Sequence, residues 1–165
     1  MYRIGLDLGS TTIKAVVLDS EGNTLFHKYI RHNAKVYEVL FDVLDELVDV
    51  VGEEAETSLA VTGSVGMGIA EKCGIPFVQE VVAATKAIAH KGLRVNTMID
   101  IGGEDAKVVF FNEDGSAEDL RMNGNCSGGT GAFIDQMAII LGEDIDKLSI
   151  LAEKSTKTYP IASRC

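Results

Sequence analysis

The sequence predicts an α/β protein in which mixed β-sheets are flanked by helices and two related domains follow each other, the second of them incomplete. The main observation is an internal repeat, in which the 20 residues from Ile4 align without a gap on those from Thr97. Short, near-continuous apolar runs such as RIGLDL and TMIDI are typical of strands covered on both faces. Elsewhere, apolar residues recur at helical spacing, as they do over Val36–Val51.

Each copy of the repeat predicts a strand, a glycine-containing turn, a second strand, a polar turn and a third strand. Glycines that follow the apolar runs mark where helices end. The second copy lacks the later strand and helix of the first, so we expect one whole domain at 1–94 and a truncated one at 95–165. The remaining predicted elements are helices at Val36–Val51, Val65–Lys72, Glu80–Lys91, Gly131–Leu141 and Asp146–Glu153, and a strand at Thr57–Thr62.

Composition excludes some functions. The net charge is −10 and basic residues do not cluster, which argues against nucleic-acid binding because a phosphate backbone requires a basic face. No signal peptide is recognisable, and no apolar stretch approaches the roughly 20 residues of a membrane-spanning helix. We therefore expect a cytoplasmic protein without membrane contact. In that reducing compartment the three cysteines would be packing residues, catalytic groups or metal ligands rather than a disulfide framework.

The first turn of the repeat has the residue types of a phosphate-binding hairpin. Asp7 ends a strand, and Gly9 lets the backbone approach a ligand closely. Successive N–H groups in such a turn can hold an anion, and the hydroxyls of Ser10, Thr11 and Thr12 add donors. The Asp7 carboxylate can hold Mg²⁺ through water.

The second turn repeats this design with Asp100, Gly102, Gly103 and Glu104. Two such hairpins would hold the β- and γ-phosphates of one nucleotide around one metal ion. In each copy a lysine follows the turn, Lys14 in the first and Lys107 in the second. The alternative is a pair of ordinary hairpins that have glycine at their turns.

The stretches DLGSTTIKAVVLD and DIGGEDAKVV resemble the two phosphate motifs of the superfamily that includes actin, the heat-shock chaperones and the sugar kinases. The resemblance implies a ribonuclease H-like, actin-type ATPase fold that binds ATP or ADP with Mg²⁺ between two domains. For catalysis we expect Asp7 and Asp100 to position Mg²⁺ and water, and Glu104 or one of these two aspartates to orient the attacking water. Lys14 is expected to belong to the nucleotide site. The superfamily's later adenosine motif is not found in this sequence.

A glycine-rich segment, Asn123–Gly131, leads into a predicted helix and contains Cys126. We expect Gly128, Gly129 and Thr130 to contribute to nucleotide binding. With DIGGEDAK, MNGNCSGGTGAF and KSTKTYPIASRC, the chain resembles the BadF/BadG/BcrA/BcrD-type activators of 2-hydroxyacyl-CoA dehydratases. Glu104 stands where the best-known activators have Gln, and Ser127-Gly128 replaces their Ala-Ala pair.

This second resemblance implies that Cys126 and Cys165 ligate a 4Fe–4S cluster. Such a cluster needs four thiolates, so a homodimer with the cluster on its two-fold axis would complete the set. The activators use ATP hydrolysis to drive an electron at low potential into a dehydratase-type partner.

Two alternatives remain open at this stage. A small-molecule kinase of the same superfamily, for example one that acts on an amino sugar, would need neither cysteine. A non-enzymatic, ATP-gated binding module or scaffold would show no redox activity. Cys73 is expected to pack at a helix end, and His27, His32 and His90 are expected to be surface or core residues.

Overall fold

The computed structural model describes residues 1–123 and 130–160. The chain divides into two compact units, Met1–Leu93 and Arg94–Cys165. The order of strands and helices confirms the predicted order in both units, with helix ends shifted by one residue at most. None of the helices in the described parts of the chain combines the length and apolar character that a membrane crossing needs.

The elements of the first unit are β1 (Tyr2–Leu8), β2 (Thr12–Leu18), β3 (Thr24–Arg31), α1 (Val36–Val51), β4 (Thr57–Thr62), α2 (Gly66–Cys73) and α3 (Glu80–His90). Its sheet has the order β3-β2-β1-β4. β1 runs antiparallel to β2 and parallel to β4, so the sheet is mixed as predicted.

The core of the first unit lies on one face of this sheet. Alternate residues of β1 and β2, including Leu6, Leu8 and Val17, are almost fully buried. α1 contributes the helically spaced Leu40, Val43 and Leu47 to the same core. Each such buried side chain contributes about 1.5–3 kcal/mol of transfer free energy. Residues that alternate with the core positions of β1 and β2 therefore lie on the opposite face.

The second unit contains β5 (Thr97–Ile101), β6 (Ala106–Phe111), β7 (Ala117–Asn123), α4 (Gly131–Leu141) and α5 (Ile145–Glu153). Its antiparallel sheet has the order β5-β6-β7. Val109 and Phe111 of β6 and Ala138 of α4 are buried. Within the described residues of this unit, β5 forms one edge of the sheet.

Candidate nucleotide site

The first predicted phosphate turn joins β1 to β2. The N–H of Gly9 donates to the carbonyl of Thr12 at 2.9 Å, which closes a tight turn with Ser10 and Thr11 at its tip. Asp7 lies between the core residues Leu6 and Leu8, so its carboxylate lies on the opposite face of the sheet. The turn therefore presents its hydroxyl residues beside the Asp7 carboxylate.

A row of polar and aromatic residues crosses the sheet at this level. Asp7 pairs with Thr62 of β4 on one side and with Lys14 of β2 on the other, and Lys14 pairs with Tyr29 of β3. The Lys14 Nζ lies 2.7 Å from Asp7 Oδ2 and 5.7 Å from the centre of the Tyr29 ring. Thr62 Oγ1 is buried and has no hydrogen-bond partner in the part of the chain that the structure describes. Thr62 was expected only as a strand residue, and the sequence carried no signal for this position.

Gly63 allows the chain after β4 to approach the end of β1. A Cβ atom at Gly63 would lie 2.4 Å from the Leu8 carbonyl carbon and 2.6 Å from Asp7 Oδ1. Its φ of +96° lies in the region that favours glycine. Since no side chain fits there, Gly63 holds the β4–α2 connection against the Asp7 carboxylate.

A cavity of about 280 Å³ opens on this face of the first unit. Its surface is almost entirely apolar, with walls from Gly5, Val16, Ala60, Val78 and Ala83, and its lining also includes Asp7, Lys14 and Thr62. Three residues with polar side chains thus border an apolar concavity. Such a combination of a few polar groups in an apolar concavity is typical of small-molecule sites.

His32 contacts the same turn from the connection between β3 and α1. Its ring Nε2 lies 3.2 Å from the Gly9 carbonyl oxygen, and its backbone N–H donates to the Thr11 carbonyl at 3.2 Å. The side chain is buried. The sequence predicted a surface or core histidine, and the burial fits the second of these. The contact with the turn was missed, because no ligand-type spacing surrounds His32.

The second predicted turn repeats the backbone of the first. Asp100 pairs with Lys107 as Asp7 pairs with Lys14, and the Gly102 N–H donates to the Asp105 carbonyl at 2.8 Å. The side chains differ, because the buried Lys107 places its Nζ 2.8 Å from Asp105 Oδ2. Asp105, which was not among the predicted site residues, occupies the position of Thr12 in the first copy.

The second turn is attached to the start of α4. The N–H groups of Gly131 and Ala132 donate to the carbonyls of Gly102 and Gly103, each at 2.9 Å. A Cβ atom at Gly131 would lie 3.2 Å from the Gly102 carbonyl oxygen, so this approach is close. Thr130, which precedes the helix, is almost completely buried. The first two helix N–H groups are therefore used by the turn.

The predicted site residues thus fall into two groups, one in each unit. Asp7, Gly9, Ser10, Thr11, Thr12 and Lys14 lie at the first turn, and Asp100, Gly102, Gly103, Glu104 and Thr130 lie at or beside the second. Cys126, Gly128, Gly129 and Cys165 lie outside the described residues. Cys73, which was expected to pack, is exposed at the end of α2 because that end of the helix faces solvent.

Comparison with known proteins identifies relatives over the whole chain. The model of the BadF/BadG/BcrA/BcrD ATPase family matches residues 4–165. The chain is 31% identical to an activator of lactoyl-CoA dehydratase from Anaerotignum propionicum and 32% identical to an (R)-2-hydroxyglutaryl-CoA dehydratase activating ATPase from Acidaminococcus fermentans. Both alignments cover 100% of this chain, which spans 63% of each relative.

A solved structure agrees with these relatives. The activator of the 2-hydroxyisocaproyl-CoA dehydratase from Clostridium difficile, with bound ADPNP, superimposes with a TM-score of 0.79 at 27% identity. The match covers 100% of this chain and 61% of that one. Together these findings confirm the predicted actin-like α/β fold.

Proposed function

Because the chain belongs to the BadF/BadG/BcrA/BcrD ATPase family, we propose that it binds and hydrolyses ATP as part of an activator of a 2-hydroxyacyl-CoA dehydratase-type partner. The observation that carries this proposal is the repeated hairpin, in which Asp7 pairs with Lys14 and Asp100 pairs with Lys107 beside a glycine turn. The names of the relatives, which are dehydratase activators, support the choice of partner.

Phosphates would be held by the two turns. Ser10, Thr11 and Thr12 offer hydroxyls and N–H groups in the first turn, and Gly102 and Gly103 offer backbone in the second. Glu104, exposed at the tip of the second turn, or one of the aspartates Asp7 and Asp100 would orient the attacking water. Phosphoryl transfer depends mostly on positioning and charge stabilisation. Groups of these types are the ones that ATP hydrolysis requires.

The groups around Asp7 fit a magnesium ion that is bound mainly by the nucleotide. Mg²⁺ prefers oxygen ligands and usually keeps several waters, with one or two carboxylates completing its site. Asp7 supplies a carboxylate, and the buried Thr62 hydroxyl beside it lacks a partner. Over the ranges 1–123 and 130–160, no group of three or more His, Cys, Asp or Glu side chains could hold a metal ion. In this proposal Asp7 and Asp100 act through water on an ion that the phosphates bind directly.

We extend the proposal to a 4Fe–4S cluster held by Cys126 and Cys165 of two chains in a homodimer. When bound, the cluster would supply one-electron transfer at low potential. Thiolates are its usual ligands, and two chains supply the required four. The attachment of α4 to the second turn supports coupling, since Cys126 lies in the segment immediately before this helix. A change at Gly102 or Gly103 would move the start of α4 directly.

Anaerobic purification with iron, sulfide and ATPase assays tests this function. We expect about four irons per dimer and Mg²⁺-dependent ATP hydrolysis. Cys126→Ser should lose the iron, whereas Cys73→Ser is the matched control, because Cys73 is exposed and outside the motif. Asp7→Asn should lose ATPase activity by at least about 100-fold, in the range of a lost transition-state contact, while keeping its iron.

The outcomes separate the candidate functions. Phosphorylation of a small molecule without iron would indicate a kinase. ATP binding with neither hydrolysis nor iron would indicate a binding module. Iron that persists in Cys126→Ser at the wild-type level would contradict the proposed ligand set.

A further inference from the structure

We infer that His32 is a positioning residue that orients the first phosphate turn for the nucleotide. This inference rests on the proposed ATP binding and adds a residue that neither the repeat nor the cysteine motif contains. His32 makes two contacts with the turn, one from its ring to the Gly9 carbonyl and one from its backbone N–H to the Thr11 carbonyl, both at 3.2 Å. Two of the turn's carbonyl groups are thus held on the His32 side.

The chemistry of the ring contact fixes the tautomer. A carbonyl oxygen only accepts hydrogen bonds, so Nε2 must carry the proton and donate. Nδ1 is then a bare acceptor, and within residues 1–123 and 130–160 it is buried without a partner. A buried acceptor without a partner is unfavourable for folding. An apolar ring would fill the same space without that cost, so the value of the histidine lies in the Nε2 contact.

The direction of the Gly9 carbonyl decides what the turn presents. In a trans peptide the C=O and the following N–H point to opposite sides of the chain. Holding the Gly9 carbonyl towards His32 therefore directs the Ser10 N–H away from His32. A turn whose N–H groups are fixed outward is preorganised for an anion, because no reorientation is needed when phosphate binds.

The backbone after His32 is also constrained. Asn33 and Ala34 have φ values of +46° and +65°. The Lys35 N–H donates to the His32 carbonyl at 2.7 Å and closes a turn over these two residues. Left-handed conformations are unfavourable for alanine, and strain of this kind is concentrated at functional sites. The strained turn delivers both the ring and the N–H of His32 to the phosphate turn.

A pair of amide variants tests this role. In His32→Gln the side-chain NH₂ reaches about as far as Nε2, whereas in His32→Asn it reaches only about as far as Nδ1. We expect His32→Asn to bind Mg·ATP about ten-fold more weakly, the upper range for one hydrogen bond. His32→Gln should stay within about three-fold of wild type. His27→Asn is the control, since His27 is exposed on the neighbouring strand β3.

Calorimetric titration with Mg·ATP and thermal unfolding of all four proteins give the readouts. A selective loss of affinity in His32→Asn, with an unfolding midpoint close to that of His32→Gln, supports positioning. Equal affinities in the two variants, whether at wild-type strength or equally weakened, overturn it. Unfolding of His32→Asn alone also overturns it, in favour of a purely structural role. Wild-type protein that binds no Mg·ATP would instead refute the proposed function.

Discussion

Thr62 is the residue whose local environment most clearly indicates a role that folding alone does not require. Its buried hydroxyl has no hydrogen-bond partner among the described residues, and Thr62 lies opposite Asp7 of the neighbouring strand. Burying such a group without a partner costs about 1–3 kcal/mol. A ligand or water bound beside Asp7 would supply the missing partner. We therefore expect the Thr62 hydroxyl to form a hydrogen bond when a ligand or water occupies the cavity.

Replacing Thr62 by valine separates binding from folding. Valine has nearly the same shape and removes the hydroxyl, so the free energy of unfolding should stay the same or rise by about 1 kcal/mol. ATP hydrolysis should fall several-fold, because the contact beside Asp7 is lost. Denaturant unfolding and steady-state ATPase assays measure the two effects.

The control for this variant is Thr57→Val, an exposed threonine on the same strand. It should leave the ATPase rate unchanged. If Thr62→Val lowers stability by more than about 1 kcal/mol, the hydroxyl has a structural partner and its role in the bound state is refuted.

At the scale of elements, the sequence predicted most of the fold because the relevant signals are local. Val36–Val51, Thr57–Thr62 and Gly131–Leu141 were placed at their observed bounds. Apolar spacing locates these elements, and in most cases a following glycine marks their ends. The pairing of Asp7 with Lys14 and of Asp100 with Lys107 also follows, since a tight turn determines the register of a hairpin.

What the sequence could not supply were the side-chain contacts made at the two turns. A lysine follows the turn in each copy, yet the Lys14 ammonium forms an ion pair with Asp7 and that of Lys107 with Asp105. The difference arises because the second copy has an aspartate where the first has Thr12. His32 is 23 residues from the carbonyl that it contacts. No periodic pattern encodes such a contact.

The polar turn between β2 and β3 is expected to make the stability of the folded state depend on pH. The side chain of Asn23 donates to the Asp19 carboxylate at 2.9 Å, and the N–H groups of Asn23 and Glu21 add bonds at 2.8 Å. These bonds, that of the Asn23 side chain first, hold the pKa of Asp19 below its ordinary value of 3.8. The folded state therefore binds fewer protons than the unfolded state near that pH.

It follows that the stability contributed by Asp19 is present above pH 3.8 and is lost as the pH falls through the lowered pKa of the folded state. Asp19→Asn should flatten this part of the stability profile, because the side chain no longer titrates. Urea midpoints measured between about pH 5 and pH 2 would show the difference. Ser20→Ala, an exposed change in the same turn, should keep the wild-type slope. If stability changes with pH in the same way in Asp19→Asn and in the wild type, the lowered pKa of Asp19 in the folded state is contradicted.

At the scale of the whole molecule, the two copies of the repeat bury different faces of their sheets. Leu6 and Leu8 are 4% and 0% exposed, whereas their counterparts Ile99 and Ile101 are 67% and 59% exposed. In the first unit α1 adds to the core that these leucines form. The second unit instead buries Lys107, Val109 and Phe111. Sequence similarity between the copies therefore does not determine which face is covered.

The exposed isoleucines lead to a prediction about association. β5 is an edge strand in the described part of its unit and has Ile99 and Ile101 exposed, a combination that favours association between chains. The double variant Ile99→Thr/Ile101→Thr keeps strand propensity and should reduce self-association in analytical ultracentrifugation. Its stability should stay within about 1 kcal/mol of wild type, because the lost side chains are not in the core.

The matched change in the first copy is Leu6→Thr/Leu8→Thr. These leucines are core residues, so this variant should lose several kcal/mol of stability. Comparable destabilisation of the two double variants would show that the isoleucines are covered in solution. Unchanged association in the isoleucine variant, with native stability, would place the self-associating surface elsewhere. The pair thus tests whether two segments that align residue by residue differ in which face the surrounding chain covers.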